Sequence, residues 1–301
     1  MIRALFVLTP SESKRLIGMA VARMEEVQHA FRNANVLVSH GSTNVYVLEE
    51  LLGREKLREM MNPAAYLSGI IMYGTLCSTP GAQKPPIVLI KQGVIVPPPP
   101  TMSQILQDFK ADSVVIKGAN AIDPEGNAAV MVANPEGGTI GWAIGSILAR
   151  GIRLITPVGL EKLVPSVKSS VSVTGQDTLD YAQGKKVGMI PLSGAKVVTE
   201  IEALEILTGA SAAHVASGGL NGSEGAVTLV AEGTQESIRK AIALVESCKG
   251  EPHLKVSKET CENCVHASPT QPKDFKSKDF DLFCRFQGRK ETELPPYLRS
   301  R

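Results

Sequence analysis

Residues 35–53 read Asn35-Val-Leu-Val-Ser-His40-Gly-Ser-Thr-Asn44-Val-Tyr-Val-Leu-Glu-Glu-Leu-Leu-Gly53. Asn35–Ser39 has the unbroken apolar run of a strand buried on both faces. A small polar turn with one glycine follows. A helix over Val45–Leu52 is then closed by Gly53. Strand, polar glycine turn and helix in this order is the building unit of an α/β fold.

The same alternation continues on both sides. Ile2–Leu8 reads as a strand. Thr9-Pro10-Ser11-Glu12 has the form of a capping box with proline at the first helical position. Leu16, Met19, Ala20, Met24, Val27 and Phe31 recur at helical spacing, which predicts one helix to about Asn33. Tyr66–Leu76 and Pro86–Ile95 read as strands. Thr101 caps a helix to about Phe109, and Ser113–Ile116 is a strand followed by a loop over 117–127. Asn134–Gly138 leads into a helix over Thr139–Arg150, and Ile152–Ile155 is again a strand. Residues 1–166 are thus expected to form an α/β core with a mostly parallel sheet flanked by helices.

After residue 166 the pattern changes. Residues 167–184 are polar and read as a linker. Strand Lys186–Pro191, helix Thr199–Leu207, strands Ala212–Ala216 and Ala226–Ala231, and a helix from Thr234 to Cys248 make most of a ferredoxin-like α+β unit. Its last strand is expected at His253–Val256. Residues 167–250 are therefore assigned to a second domain. Residues 251–301, polar and poor in aliphatics, are expected to be an irregular tail.

Composition narrows the function classes. The chain has 301 residues, with Lys+Arg 32 against Asp+Glu 30, so it lacks the basic excess of a general nucleic-acid binder. Aromatic residues make up 4% with one Trp, too few for base-stacking platforms. No apolar run reaches the roughly 18 residues of a membrane span, and Met1–Pro10 lacks a basic leader region. Five cysteines, an odd number, fit reduced thiols or metal ligands better than a secreted disulfide framework. The expectation is a cytoplasmic protein with a small-molecule partner, no nucleic acid and no membrane; homo-oligomerisation is compatible with all of this.

Two motifs resemble the ribose-5-phosphate isomerase / CoA-transferase-like superfamily. Val36–Val45 is similar to its strand–(Gly-Ser-Thr)–helix phosphate turn. Val115-Ile-Lys-Gly-Ala-Asn-Ala-Ile-Asp123 resembles the isomerase Asp-Gly-Ala-Asp-Glu-Ile-Asp loop, with Gly137-Gly138 at a following helix start. The resemblance implies a phosphorylated metabolite and isomerase- or transferase-like chemistry. Two isomerase acids are replaced by Lys117 and Asn120, and only Asp123 is kept.

The residues themselves suggest where chemistry would sit. Gly41, Ser42, Thr43 and Asn44 open a helix, where unpaired N–H groups and the helix dipole favour an anion. Lys117 and Asn120 follow a strand in a loop expected at the same sheet edge, where ligands of open α/β sheets bind. Lys117 would hold an anion or act as a base or Schiff-base amine, Asp123 would orient it or act as base, and His40 would serve acid–base chemistry. Gly137 and Gly138 complete the expected cleft. A non-catalytic sensor using the same pocket is the alternative.

Cys261-Glu-Asn-Cys264, with Cys284 further on and His253 and His266 flanking, carries a Zn²⁺ or iron–sulfur reading, beside free thiols or a redox disulfide. No other cofactor is expected. A metal-binding interaction or assembly protein is a further alternative.

Overall fold

The computed structural model describes residues 1–72, 74–79, 84–256, 260–262, 264, 284 and 286–299. In chain order its elements are Ile2–Leu8 (β1), Pro10–Arg23 (α1), Glu25–Asn33 (α2), Asn35–Val38 (β2), Ser42–Leu52 (α3), Arg54–Met60 (α4), Gly69–Met72 (β3), Thr75–Ser78 (β4), Val88–Lys91 (β5), Val94–Val96 (β6) and Met102–Leu106 (α5). There follow Val114–Ile116 (β7), Ala121–Ile122 (β8), Ala128–Val132 (β9), Gly138–Arg150 (α6), Arg153–Pro157 (β10), Val167–Ser172 (α7), Gly188–Pro191 (β11), Lys196–Val198 (β12), Glu200–Thr208 (α8), Ser211–Ser217 (β13), Val227–Gly233 (β14) and Gln235–Cys248 (α9). The fold is α/β. Among the described residues no helix is long and apolar enough to cross a membrane.

The central sheet has the order β12-β10-β7-β2-β5-β6. β12, β10, β7 and β2 run parallel; β5 is antiparallel to β2, and β6 is antiparallel to β5. Alternate side chains of each strand enter different cores, as the two-residue period requires. Val36, Val38, Val114, Ile116 and Ile155 join α1, α3 and α8 on one face. Leu37, Val115 and Leu154 meet α5 and α6 on the other.

A second sheet, β1-β14-β13, is antiparallel and adds Phe6, Leu8, Val227, Leu229 and Ala231 to the first of these cores. The strand expected at His253–Val256 is not formed; the place beside β14 is taken by Ile2–Leu8. The chain therefore recruits its N-terminal strand into the layer assigned to residues 167–250. β11 does not join this layer either. It pairs with β9 in a small β11-β9-β8 sheet that the 117–127 loop reading did not foresee. The stretch taken for a linker contains α7.

Other elements are shorter than their patterns suggested. Tyr66–Leu76 and Pro86–Ile95 are not single strands; β3–β4 and β5–β6 are hairpins. The second turns at Gln92-Gly93, both with positive φ (49° and 80°), the conformation of a two-residue hairpin turn. The helix expected from Pro10 to Asn33 breaks at Met24, whose ψ of 137° is extended. Helical periodicity runs through the break because both halves bury apolar faces, but against different partners. α1 packs on α3, α8 and α9, whereas α2 turns to β2, β5 and β7.

α1 lies between the two sheets, with Leu16, Ile17, Ala20 and Val21 fully buried. Gly18 lets the backbone of α3 come close. A Cβ there would sit 2.6 Å from Tyr46 Cβ and 2.9 Å from its carbonyl carbon. Three residues earlier, the buried Arg15 donates to Glu49, to Glu50 at 3.3 Å and to Glu251 at 2.9 Å, and stacks 4.5 Å over the Tyr46 ring. Burial opposes its charge, and Glu251 and Glu49 more than offset this, so the guanidinium stays ionised. Lys249 and the Gly250 N–H meanwhile bind the Glu12 carboxylate at 2.7 and 2.9 Å. The chain leaving α9 is thereby fixed to α1. Gly18→Ala is expected to push α1 and α3 apart at a cost of about 1–3 kcal/mol. A thermal midpoint by circular dichroism that equals the parent's would contradict this packing.

Candidate functional site

β2 and β7 are parallel neighbours, with Val38 opposite Ile116. Their carboxyl ends therefore open on the same sheet edge, and the turns that follow them face each other. Ser39 fastens the edge: its N–H and its Oγ both donate to the Ile116 carbonyl, at 3.0 and 2.8 Å. Tyr66, fully buried, donates from its hydroxyl to the Val38 carbonyl and accepts from the Val88 N–H at 2.9 Å, tying β5 to the same level.

A cavity of about 880 Å³ opens above this edge. It is lined by the first turns of α3 (Gly41, Ser42, Thr43) and α6 (Gly137, Gly138, Thr139), by Lys117–Asn120 and by the β3–β4 hairpin. Neither helix start has a side-chain cap. Their first-turn N–H groups thus keep no partner inside the helix, and each dipole presents its positive end. Gly137 is required at its place. Its φ is 79°, and a Cβ would lie 2.9 Å from the backbone of Gly141. Gly41 is different, since its φ of 167° is ordinary extended backbone.

Five lysines line the cavity: Lys14, Lys84, Lys117, Lys162 and Lys185. Among the described residues no Asp or Glu lines it. Glu161, behind the wall, reaches Lys14 at 3.7 Å and Lys162 at 4.0 Å. Lys162 also donates to the Ala119 carbonyl at 3.1 Å, and Lys84 to Ser68 Oγ at 2.8 Å. Burial and like-charge neighbours both disfavour the charged forms of these lysines. Burial first, then Lys162 and Lys84, brings the Lys117 ammonium down to about 8. Burial and then Lys185 lower Lys84.

The sequence-selected residues fall into two groups. His40, Gly41, Ser42, Thr43, Lys117, Asn120, Gly137 and Gly138 all line the one cavity. Asn44 and Asp123 do not. Asn44 is fully buried beneath the turn and donates from Nδ2 to the Ser39 carbonyl at 2.7 Å. Its Oδ1 is buried without a hydrogen-bond partner.

Asp123 departs from the expected role of base. Its carboxylate accepts from the Asn127 N–H and side chain at 2.9–3.1 Å and from the Val167 N–H at 3.0 Å. It holds the 123–127 turn to the start of α7. Burial raises its carboxyl, and these hydrogen bonds outweigh burial to leave it below the usual range. Asn120 shares its side chain between roles, its Oδ1 accepting from the Met131 N–H at 3.0 Å.

His40 is also unlike the expected acid–base group. Its Nε2 lies 2.8 Å from the Pro85 carbonyl, so it must carry the proton and donate. Burial, then Lys84, brings it down to about 4, with Lys117 adding to the effect. Near neutral pH the ring is uncharged, packed 4.7 Å from Tyr66.

Four of the five lysines were not found from the sequence. Lys84 and Lys185 lie between regular elements, Lys162 ends a short helical turn and Lys14 sits in the second turn of α1; only the fold gathers them. His253, Leu254 and Val256, taken for a strand, form part of the wall instead. No family model, curated protein or solved structure matches the chain.

An amine near 8 is roughly half unprotonated at pH 8, against well under a hundredth for an ordinary lysine. Limiting acylation followed by peptide mass mapping should therefore label Lys117 first, with a rate inflecting near pH 8. An inflection above pH 10 would contradict the buried cationic setting.

Proposed function

We propose that the cavity binds a small, multiply charged anionic metabolite, most simply one carrying a phosphate. The observation that carries this reading is the lining: five lysines and two uncapped helix starts, with no carboxylate among the described residues. Separate cations held together repel one another, and a dianion placed among them relieves that repulsion while the first-turn N–H groups supply directed hydrogen bonds. A volume of about 880 Å³ suits a metabolite rather than a bare ion. Ser42, Thr43 and Thr139 add hydroxyls for the rest of the molecule. The superfamily resemblance points the same way, through the glycine turn at 41–44. In this reading the β1-β14-β13 layer with α8 and α9 is a reduced ferredoxin-like unit completed by the N-terminal strand.

Two outcomes are open to the bound ligand. Lys117 has an amine basic enough to attack a carbonyl and acidic enough to be partly free of its proton, which supports isomerase- or transferase-like chemistry through a Schiff base or proton abstraction. A sensor reading has its own support. Among the described residues the cavity wall offers no carboxylate, and the His40 ring donates to Pro85 rather than standing ready to exchange protons. Borohydride trapping with carbonyl metabolites separates them: an adduct on Lys117 belongs to the enzyme.

The binding itself is tested with inorganic phosphate and pyrophosphate by calorimetry. Lys117→Ala should weaken binding tenfold to a hundredfold, corresponding to about 1.5–3 kcal/mol for a charge-assisted contact. Affinity in the parent should fall as pH rises through about 8, because Lys117 then loses its charge. Lys240→Ala, which removes an exposed lysine of α9, should change little. Equal weakening by both substitutions would reduce the effect to net charge and refute the site.

A further inference from the structure

The five cysteines do not share one environment. All are thiols rather than disulfides. Cys248 is buried on α9, with its Sγ 4.0 Å from the sulfur of Met19, inside the main core. The other four are Cys77 and, far along the chain, Cys261, Cys264 and Cys284; backbone pairing brings their segments together.

The pairing can be followed strand by strand. Leu76, next to Cys77, bridges Gly184, and the Lys185 N–H donates to the Leu76 carbonyl at 3.0 Å. On its other side Lys185 bridges Cys284. The segment 184–185 thus carries the neighbour of Cys77 on one flank and Cys284 on the other. The Cys261–Cys264 turn is fixed to the same place. Gly288 donates its N–H to the Cys261 carbonyl at 2.7 Å, and Gln287 donates from Nε2 to the Cys264 carbonyl at 3.3 Å. The turn at Cys284 is closed by the Gln287 N–H at 3.1 Å. Cys261 and Cys284 pack on Phe286, Leu294 and Leu298, a separate small core. Cys264, Cys77 and Cys261 all lie close enough to the Cys284 thiol to act on it electrostatically.

We propose that Cys77, Cys261, Cys264 and Cys284 form a four-thiolate site for a thiophilic metal centre, Zn²⁺ or an iron–sulfur cluster, which fastens the C-terminal segment to the β3–β4 hairpin. Among the described residues only Phe286, Leu294 and Leu298 are buried apolar side chains of this small core, and a metal would add folding energy to it. A Cys-x-x-Cys turn plus two separate cysteines is a ligand set both centres use. Among the described residues no three His, Cys, Asp or Glu side chains are placed to hold an ion as they stand. Closing the site requires the thiols to turn about their Cα–Cβ bonds and lose their protons, which a metal drives. His253 faces the lysine-lined cavity, and His266 lies outside the described residues; neither is needed as a ligand. Cys77 is the ligand that sequence spacing could not supply. It also lines the cavity, so the centre would stand at the cavity wall.

The test uses the full chain, purified without oxygen from metal-replete cells. Elemental analysis should give about one Zn, or about four Fe with visible charge-transfer absorbance, per chain. After dialysis against a chelator, Cys77→Ser and Cys284→Ser should each retain under about a tenth of the parent's metal, and Cys248→Ser should retain all of it. In the unsubstituted protein, metal removal should expose four thiols to alkylation together, with Cys248 unchanged. This second measurement stands even if a variant fails to fold. Metal-free protein with the four thiols reacting independently would overturn the proposal. So would Cys77–Cys284 or Cys261–Cys264 disulfides in the anaerobic sample, or a folded Cys77→Ser variant that keeps its full metal.

Discussion

The close crossing of α1 over α3 is the constraint on which the rest of the molecule depends. Gly18 brings the two backbones together where any larger residue would hold them apart. That contact places the first turn of α3 directly over the ends of β2 and β7. It also buries Arg15, whose charge is tolerable only because Glu49 and Glu50 of α3 and Glu251 from beyond α9 converge on it. Loss of one partner from such a cluster costs far more than the cluster contributes, so the network acts mainly to specify one arrangement. It makes the position of α3 conditional on the chain beyond α9 being in place.

The cavity follows from this geometry with little further provision. Parallel strands end together, helices start there, and the peptide dipoles add without any charged residue being used. The lysines then come in from five separate segments. Burying them close together has a cost: burial first, and neighbouring lysines second, lower the affinity of Lys117 and Lys84 for their protons. In the proposed reading, an anion bound among these lysines would offset part of that cost.

Local chemistry was legible in the sequence, and spatial assembly was not. The capping boxes at Thr9, Thr101 and Thr199 are all present. The strand–turn–helix at 35–52 is formed, and the 40–44 and 117–120 segments meet as their strand polarity implied. Asp123 misled because an acid in a ligand-facing loop and an acid closing a turn look alike in one dimension; Val167, its decisive partner, lies far along the chain. Met24 misled because apolar spacing reports burial and says nothing of which surface buries it. The exchange of His253–Val256 for Ile2–Leu8 beside β14 is a long-range choice between two short segments, and periodicity cannot rank them.

That exchange bears on how the chain is made. Ile2 is paired with Gly233 and Leu8 with Val227, so β1 leaves a ribosome well before its partner β14 and stays unpaired while the elements between them are synthesised. Contacts of such separation form late and slow folding. In the interval a short apolar segment, Ala4-Leu-Phe-Val-Leu8, is open to other unpaired strand edges. The nascent chain is thus exposed to misassembly at β1. Its yield in cells should depend on chaperones and on the pace of translation more than the stability of the finished fold would suggest.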